Sequence, residues 1–249
     1  MMEEFLSGQN SMGPRADFKP ELFDTLIQQK GYTVIWEQGM LCSCLKYSGQ
    51  LNSGQPDFTC TVCKGKGYVY FDPNHTRALV TSISGRKEQE KVGLNDFGTA
   101  YLTPLSTDDV GFRDRFTFPD FTMKYSELIQ RKPLGQVDEL RYPAQRLICV
   151  REGSNIYKRS IDFELSKGGK FLEWKTNIGE GKYYSVLYST PAVYIAINPI
   201  HELRGTYITA KGGGLERFVQ LPKQFQIKRE DFVDADARVP SDPQAGPIF

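Results

Sequence analysis

The 249-residue chain carries only two histidines, His75 and His201, which lie 126 positions apart. Catalysis centred on an imidazole, and any metal site that needs two neighbouring imidazoles, has little material to work with. A G-x-S-x-G elbow, a phosphate-binding P-loop, an H-E-x-x-H helix and a Rossmann glycine fingerprint are all missing from the sequence. No apolar run approaches the roughly 18 residues that a bilayer span requires, and the mean hydropathy is −0.44. The opening Met1-Met2-Glu3-Glu4 has neither the basic start nor the apolar stretch of a secretory signal. The chain is therefore expected to remain in a reducing cytoplasm unless a particle carries it out. An excess of one charge is missing too: 31 basic side chains stand against 30 acidic ones, a net +1 that implies no polyelectrolyte partner. Asp108, Asp109, Asp114 and Asp120 are close in sequence, as a hydrolytic carboxylate pair would be. In a chain with 30 acids such closeness is unremarkable by count. The expectation is a non-enzymatic protein with no small-molecule substrate and no membrane span.

What the chain does have is aromatic side chains, 13 Tyr and 16 Phe among them, with 23 Gly and 14 Pro spread along its length. That mixture favours strands joined by turns. Residues 1–17 show no period and read as a flexible arm. From residue 18 the pattern is helical: Pro20 suits a first turn, Leu22, Phe23, Leu26 and Ile27 share a face, and Gly31 follows Lys30 as a stop. Tyr32–Trp36 reads as a strand, giving a helix-and-strand unit over 18–36. Short strand runs follow at Tyr68–Phe71, Ala78–Ser82, Thr99–Leu102, Phe112–Phe118, Arg146–Arg151, Tyr183–Leu187, Ala192–Ile197 and Phe218–Ile227, bounded by Gly, Pro, Asn or Asp. Asp162–Leu165, Phe171–Trp174 and Tyr183–Tyr188, with tight connections, predict a three-stranded meander. Gly212–Gly214 reads as a loop, and 234–249, with three prolines and few apolar residues, as a flexible tail.

Four of the five cysteines fall within 22 residues: Cys42-Ser-Cys44, then Cys60-Thr-Val-Cys63-Lys-Gly-Lys-Gly67. Two close thiol pairs at ribbon-like separation suit one tetrahedral ion, each pair supplying two thiolates from a tight turn. Gly65 and Gly67 permit positive φ and leave backbone N–H groups free to face sulfur. Zn²⁺ is the default ion, because all-thiolate ligation is soft and a structural site needs no open position. Two disulfides and unliganded thiols remain the competing readings. The fold class expected is mainly β: a β-sandwich or barrel-like body over 72–233, one short N-terminal helix, and a small zinc-ribbon-like knuckle inserted over 37–71.

Other candidates weigh less. Lys64 and Lys66 beside Tyr68 and Tyr70 have the composition of a single-strand nucleic-acid surface, but a solvated knuckle is the simpler expectation. His75 offers a fifth donor to the ion, although a turn histidine is the plainer reading. Ser84–Lys91 alternates in charge and reads as an exposed turn or strand edge. Cys149, between Ile148 and Val150, reads as a buried apolar residue.

Taken alone, Cys60–Gly67 resembles one C-x-x-C-x-G-x-G unit of the cysteine-rich zinc domain of J-protein chaperones. The likeness covers eight residues, and the other parts of that family are missing from this sequence, so its activity is not carried over. A longer pattern joins Trp36-Glu-Gln-Gly39, the C-x-C and C-x-x-C-x-G-x-G-Tyr68 stretch, Asp162–Leu165, Phe171–Trp174, Gly181–Tyr188, Pro191–Ile195 and Leu221-Pro222 leading to Ile227–Phe232. It resembles the virion structural proteins of the neck or head-tail connector region of tailed bacteriophages. That resemblance implies a homo-oligomeric ring contacting portal or adaptor proteins on one side and tail-tube or tail-terminator proteins on the other. It implies assembly in the host cytoplasm, and no nucleic-acid contact beyond genome passing through a channel. A zinc-ribbon nucleic-acid-binding protein is the alternative.

Overall fold

The computed structural model describes residues 20–44, 60–82, 98–176, 179–201, 203–209 and 216–236. The expected arm over 1–17, the charged turn over 84–91, the loop at Gly212–Gly214 and the tail beyond residue 236 lie outside the described residues. In chain order the elements are α1 (Pro20–Lys30), β1 (Tyr32–Leu41), β2 (Tyr68–Ser82), β3 (Thr99–Pro104), β4 (Arg115–Gln130), β5 (Val137–Glu139), β6 (Arg146–Glu152) and β7 (Asn155–Tyr157). They continue with β8 (Phe163–Leu165), β9 (Phe171–Trp174), β10 (Tyr183–His201), β11 (Gly205–Thr209), β12 (Glu216–Gln220), β13 (Gln224–Arg229) and α2 (Glu230–Asp236). The protein is mainly β, as its composition predicts.

α1 ends where the sequence places its stop. The Gly31 N–H donates to the Ile27 carbonyl at 2.7 Å. A Cβ at Gly31 would stand 2.4 Å from that carbonyl oxygen and 3.1 Å from that of Ala78, so only glycine lets the helix turn this tightly into β1. Of the apolar face, Ile27 is buried while Leu22 and Leu26 stay exposed.

Strand pairing then closes on itself. The order β13-β3-β2-β1-β4-β10 is antiparallel throughout, and β10 pairs back onto β13, giving a six-stranded barrel. Closure removes the exposed edges an open sheet would present. Alternation along each strand sends Val34, Trp36, Ala78, Leu102, Phe116, Phe118, Ala196, Phe225 and Ile227 inward to fill the barrel.

β4 and β10 are longer than the barrel needs. Pro191 pairs with Thr122 but Ala192 pairs with Phe118, so Pro119–Phe121 bulge out at the point where both strands leave the barrel. Beyond that corner they join β6 and β7, and this curved sheet packs against a separate three-stranded sheet of order β5-β9-β8. Met123, Val150, Tyr184, Val186 and Tyr188 meet Phe163, Leu172 and Trp174 in a second core. Barrel and sandwich thus share two strands.

Each core is keyed by a buried aspartate. Asp114 accepts from Trp36 Nε1 at 2.8 Å, Gly39 N at 2.9 Å and Gly111 N at 2.8 Å. Asp138 accepts from Trp174 Nε1 at 2.9 Å, the Tyr184 hydroxyl at 2.7 Å and Lys132 N at 3.0 Å. Asp108 instead takes the Thr76 hydroxyl, and Asp109 is paired with Lys223 at the surface. The acidic run is therefore divided among different structural partners.

Several expectations are corrected. Tyr68–Phe71 and Ala78–Ser82 are one strand, as are Tyr183–Leu187 and Ala192–Ile197, because the intervening Asp72-Pro-Asn74 and Pro191 sit in bulged or irregular registers and not in turns. Phe218–Ile227 is two strands, broken at Leu221–Lys223. The meander keeps its β8–β9 hairpin, but the other neighbour of β9 is β5, while β10 belongs to the large sheet. Cys149 is half-buried, paired with Leu187 on the outer face of that sheet. The first residues of the expected tail, 234–236, belong to α2.

Candidate metal centre

β1 and β2 form a hairpin whose last pair is Leu41 with Tyr68. The Cys42 N–H donates to the Gly67 carbonyl at 2.8 Å, carrying the ladder one step into the cysteine segment. Cys42 and Cys44 therefore leave the end of one strand while Cys60 and Cys63 approach the start of the other. The C-x-x-C turn is closed by Lys64 N donating to the Cys60 carbonyl at 2.9 Å and Lys66 N to the Cys63 carbonyl at 3.1 Å. Gly65 and Gly67 have φ of 80° and 77°. Lys64 also has a positive φ, 53°, a conformation that residues other than glycine seldom adopt and that its residue type does not suggest.

The four sulfurs all lie within 4.8 Å of one another. Cys42 Sγ stands 3.8 Å from Cys60 Sγ, and Cys44 Sγ 3.4 Å from Cys63 Sγ. A disulfide needs about 2.05 Å, so these cross pairs are not bridged. A tetrahedral ion with metal–thiolate bonds of about 2.3 Å sets its sulfurs about 3.8 Å apart. The arrangement has the size of a four-thiolate shell, and the chain can hold one metal ion here. The C-x-C pair fits because its two sulfurs face opposite members of the C-x-x-C pair. Cys42 and Cys63 are buried, Cys44 and Cys60 half-exposed. Backbone N–H groups of Cys63 and Val62 point at the Cys60 sulfur and lower its pKa to about 7, favouring the thiolate that a metal takes up. His75 is not in this group; it lies exposed on β2 opposite Ile35.

The knuckle is not solvated on all sides. Lys64 pairs with Glu139 of β5, and Lys66 Nζ lies 2.5 Å from Glu230 Oε1 at the start of α2. Glu230 is fully buried and the Lys66 side chain is 20% exposed. Burial pushes the Glu230 carboxyl up, yet Lys66, Arg115 and Arg141 outweigh it and hold the group below its ordinary value. Burial draws the Lys66 ammonium below its own ordinary value, only partly offset by Glu230. Arg115 forms a bidentate pair with Glu37, at 2.8 and 2.7 Å, and stacks over the Tyr70 ring at 4.2 Å. Arg113 stacks over Tyr68 at 5.2 Å. The two lysines and two tyrosines singled out as a nucleic-acid surface are thus engaged by the protein itself.

This charged hub joins the knuckle, the barrel wall, α2 and, through Tyr142 and Arg141, the sandwich. Sequence reading missed it because Lys66 and Glu230 are 164 residues apart. An acidic residue opening a helix is normally an exposed complement to the helix dipole. The structure thus brings Cys42, Cys44, Cys60, Cys63, Gly65 and Gly67 into one compact site and leaves His75 outside it. Compared with known proteins, the sequence matches no family model and no curated protein.

Proposed function

We propose that the chain is a non-enzymatic structural subunit of a virion, an oligomeric neck or head-tail connector component that joins the capsid portal to the tail. Its four cysteines hold one structural Zn²⁺. Zinc fits the site because thiolate ligands are soft and four of them close the shell, leaving no position for a substrate. The ion clamps the tip of the β1–β2 hairpin, tying the Cys42–Cys44 turn to the Cys60–Cys63 turn.

The observation that carries this reading is the distribution of exposed apolar side chains. They stand in groups on separate parts of the surface: Leu22 and Leu26 on α1, Met40, Leu41 and Val62 beside the metal centre, and Leu128, Ile148 and Ile156 on the uncovered face of the large sheet. Grouped exposure of this kind marks surfaces that meet other proteins. A subunit packed into a ring between two further rings has such surfaces on several sides. The alternative, a zinc-ribbon nucleic-acid binder, is weakened by the engagement of Lys64, Lys66, Tyr68 and Tyr70 within the fold.

Two linked measurements test the proposal. Peptide mass spectrometry of purified particles should find the chain as a stoichiometric component, and sedimentation should show it above monomer mass. Its absence from particles would overturn the virion role. Binding to oligonucleotides that weakens steeply with salt would favour the alternative.

A further inference from the structure

Among the described residues the β11–β12 hairpin forms a two-stranded sheet of its own. Its strands pair only with each other, and no other helix or strand among the described residues packs substantially against them. Tyr207 and Phe218 meet edge to face at 5.4 Å between ring centroids and are 67% and 56% exposed, while Leu203 at the base is 100% exposed. A two-stranded hairpin with its aromatic side chains in water is marginal by itself.

The opposite end of the barrel offers a complementary shape. There the core opens into a cavity of about 700 Å³, within the range of roughly 300–1,000 Å³ usual for binding pockets. Aromatic side chains, Tyr32, Phe118, Phe121 and Tyr194, line it together with the charged Lys124 and Arg229, with edge-to-face contacts of 4.9 Å between Tyr32 and Phe121 and 5.6 Å between Phe118 and Tyr194. Aromatic rings prefer such edge-to-face neighbours, so a socket of this kind suits further rings.

The arm leaves the barrel at the end away from this cavity. β10 meets β13 at Tyr194–Arg229 beside the cavity and at His201–Gln224 where the hairpin departs, seven residues further along. At about 3.3 Å per residue the two levels are roughly 20 Å apart, which sets the root of the arm far from the cavity and favours a second copy as the occupant. We propose that the β11–β12 arm of one subunit seats Tyr207 and Phe218 in the aromatic barrel mouth of a second copy, a head-to-tail joint that repeats around a ring. The proposal deepens the oligomeric reading above and rests on it.

The area involved decides what kind of assembly follows. Large aromatic side chains bury about 150–250 Å² each, so Tyr207, Phe218 and Leu203 expose on the order of 400 Å², and a matching socket brings one joint to about 800 Å². That is below the roughly 1,200–2,000 Å² of a stable two-body interface. A lone dimer is therefore weak. Closure into a ring gives every subunit two joints, and the assembly forms steeply with concentration.

The test uses full-length protein with arm and socket altered separately, both at exposed positions: Phe218→Ser and Phe121→Asp. Wild type should sediment above dimer mass, each variant as a monomer, and an equimolar mixture should go no further than a weak heterodimer that appears only at high concentration, because only one intact arm meets one intact socket. Hydrogen exchange keeps the result independent of altered arm chemistry. Amides of 205–209 and 216–220 should exchange about tenfold faster in the Phe121→Asp protein, whose arm is intact, than in wild type. An arm variant that assembles like wild type overturns the joint while leaving oligomerisation standing. A wild-type monomer overturns both. Arm amides protected in the Phe121→Asp monomer would show the arm held by its own chain or another partner, and would also overturn the joint.

Discussion

Replacing Lys66 with methionine removes the ammonium 2.5 Å from a fully buried carboxylate and keeps most of the side-chain volume. Breaking a buried ion pair on one side typically costs about 3–5 kcal/mol, because the remaining charge is stranded. Two features place this variant at the lower end. Arg115 and Arg141 still attract Glu230, and Lys66 retains 20% exposure. A loss of about 3 kcal/mol is expected. The double variant Lys66→Met with Glu230→Gln removes both members of the pair and should recover to within about 1 kcal/mol of wild type. Urea titration of the metal-loaded proteins measures this, with tryptophan fluorescence reporting from both cores, since Trp36 lies in the barrel and Trp174 in the sandwich. Metal content is checked on every sample, because Lys66 follows Cys63 closely. A Lys66→Met protein as stable as wild type, or a double variant worse than the single, would show that the hub does not join the knuckle to α2.

Three further outcomes are expected. Asp114→Ala leaves the Trp36, Gly39 and Gly111 donors without their acceptor; at about 1–3 kcal/mol per stranded buried donor it should cost 3 kcal/mol or more, read as a lowered urea midpoint. Asp138→Ala should do the same to the sandwich, with near-ultraviolet dichroism changing first at Trp174. In metal-free reduced protein, Cys60, with a pKa of about 7, should be alkylated first at neutral pH. Its thiolate, and with it the reaction, is lost as pH falls through 7, which peptide mapping across pH 5.5–8.5 follows directly.

Local pattern made the parts of this protein legible where the physics is local. The α1 stop at Gly31 and the C-x-C and C-x-x-C turns depend on neighbours within a few residues, and the structure gives them the expected shapes. Strand length was harder. Asp72-Pro-Asn74, Pro191 and Asn198-Pro199 carry turn chemistry, yet β2 and β10 run through all three by way of bulges and irregular registers. Barrel closure was not legible because it rests on β10 changing partner from β6 to β13 midway along its length. The Lys66–Glu230 pair and the Asp114 and Asp138 hubs join residues distant in sequence, and a single charged side chain gives no sign of which element will bury it.

The most direct experiment is elemental analysis of the purified, reduced, folded protein. Four thiolates within 4.8 Å should retain one zinc per chain, and Cys63→Ser should lose it while the β body keeps its dichroism. A folded wild-type protein that carries no metal, and takes up none when zinc is supplied, would contradict the metal-clamped hairpin.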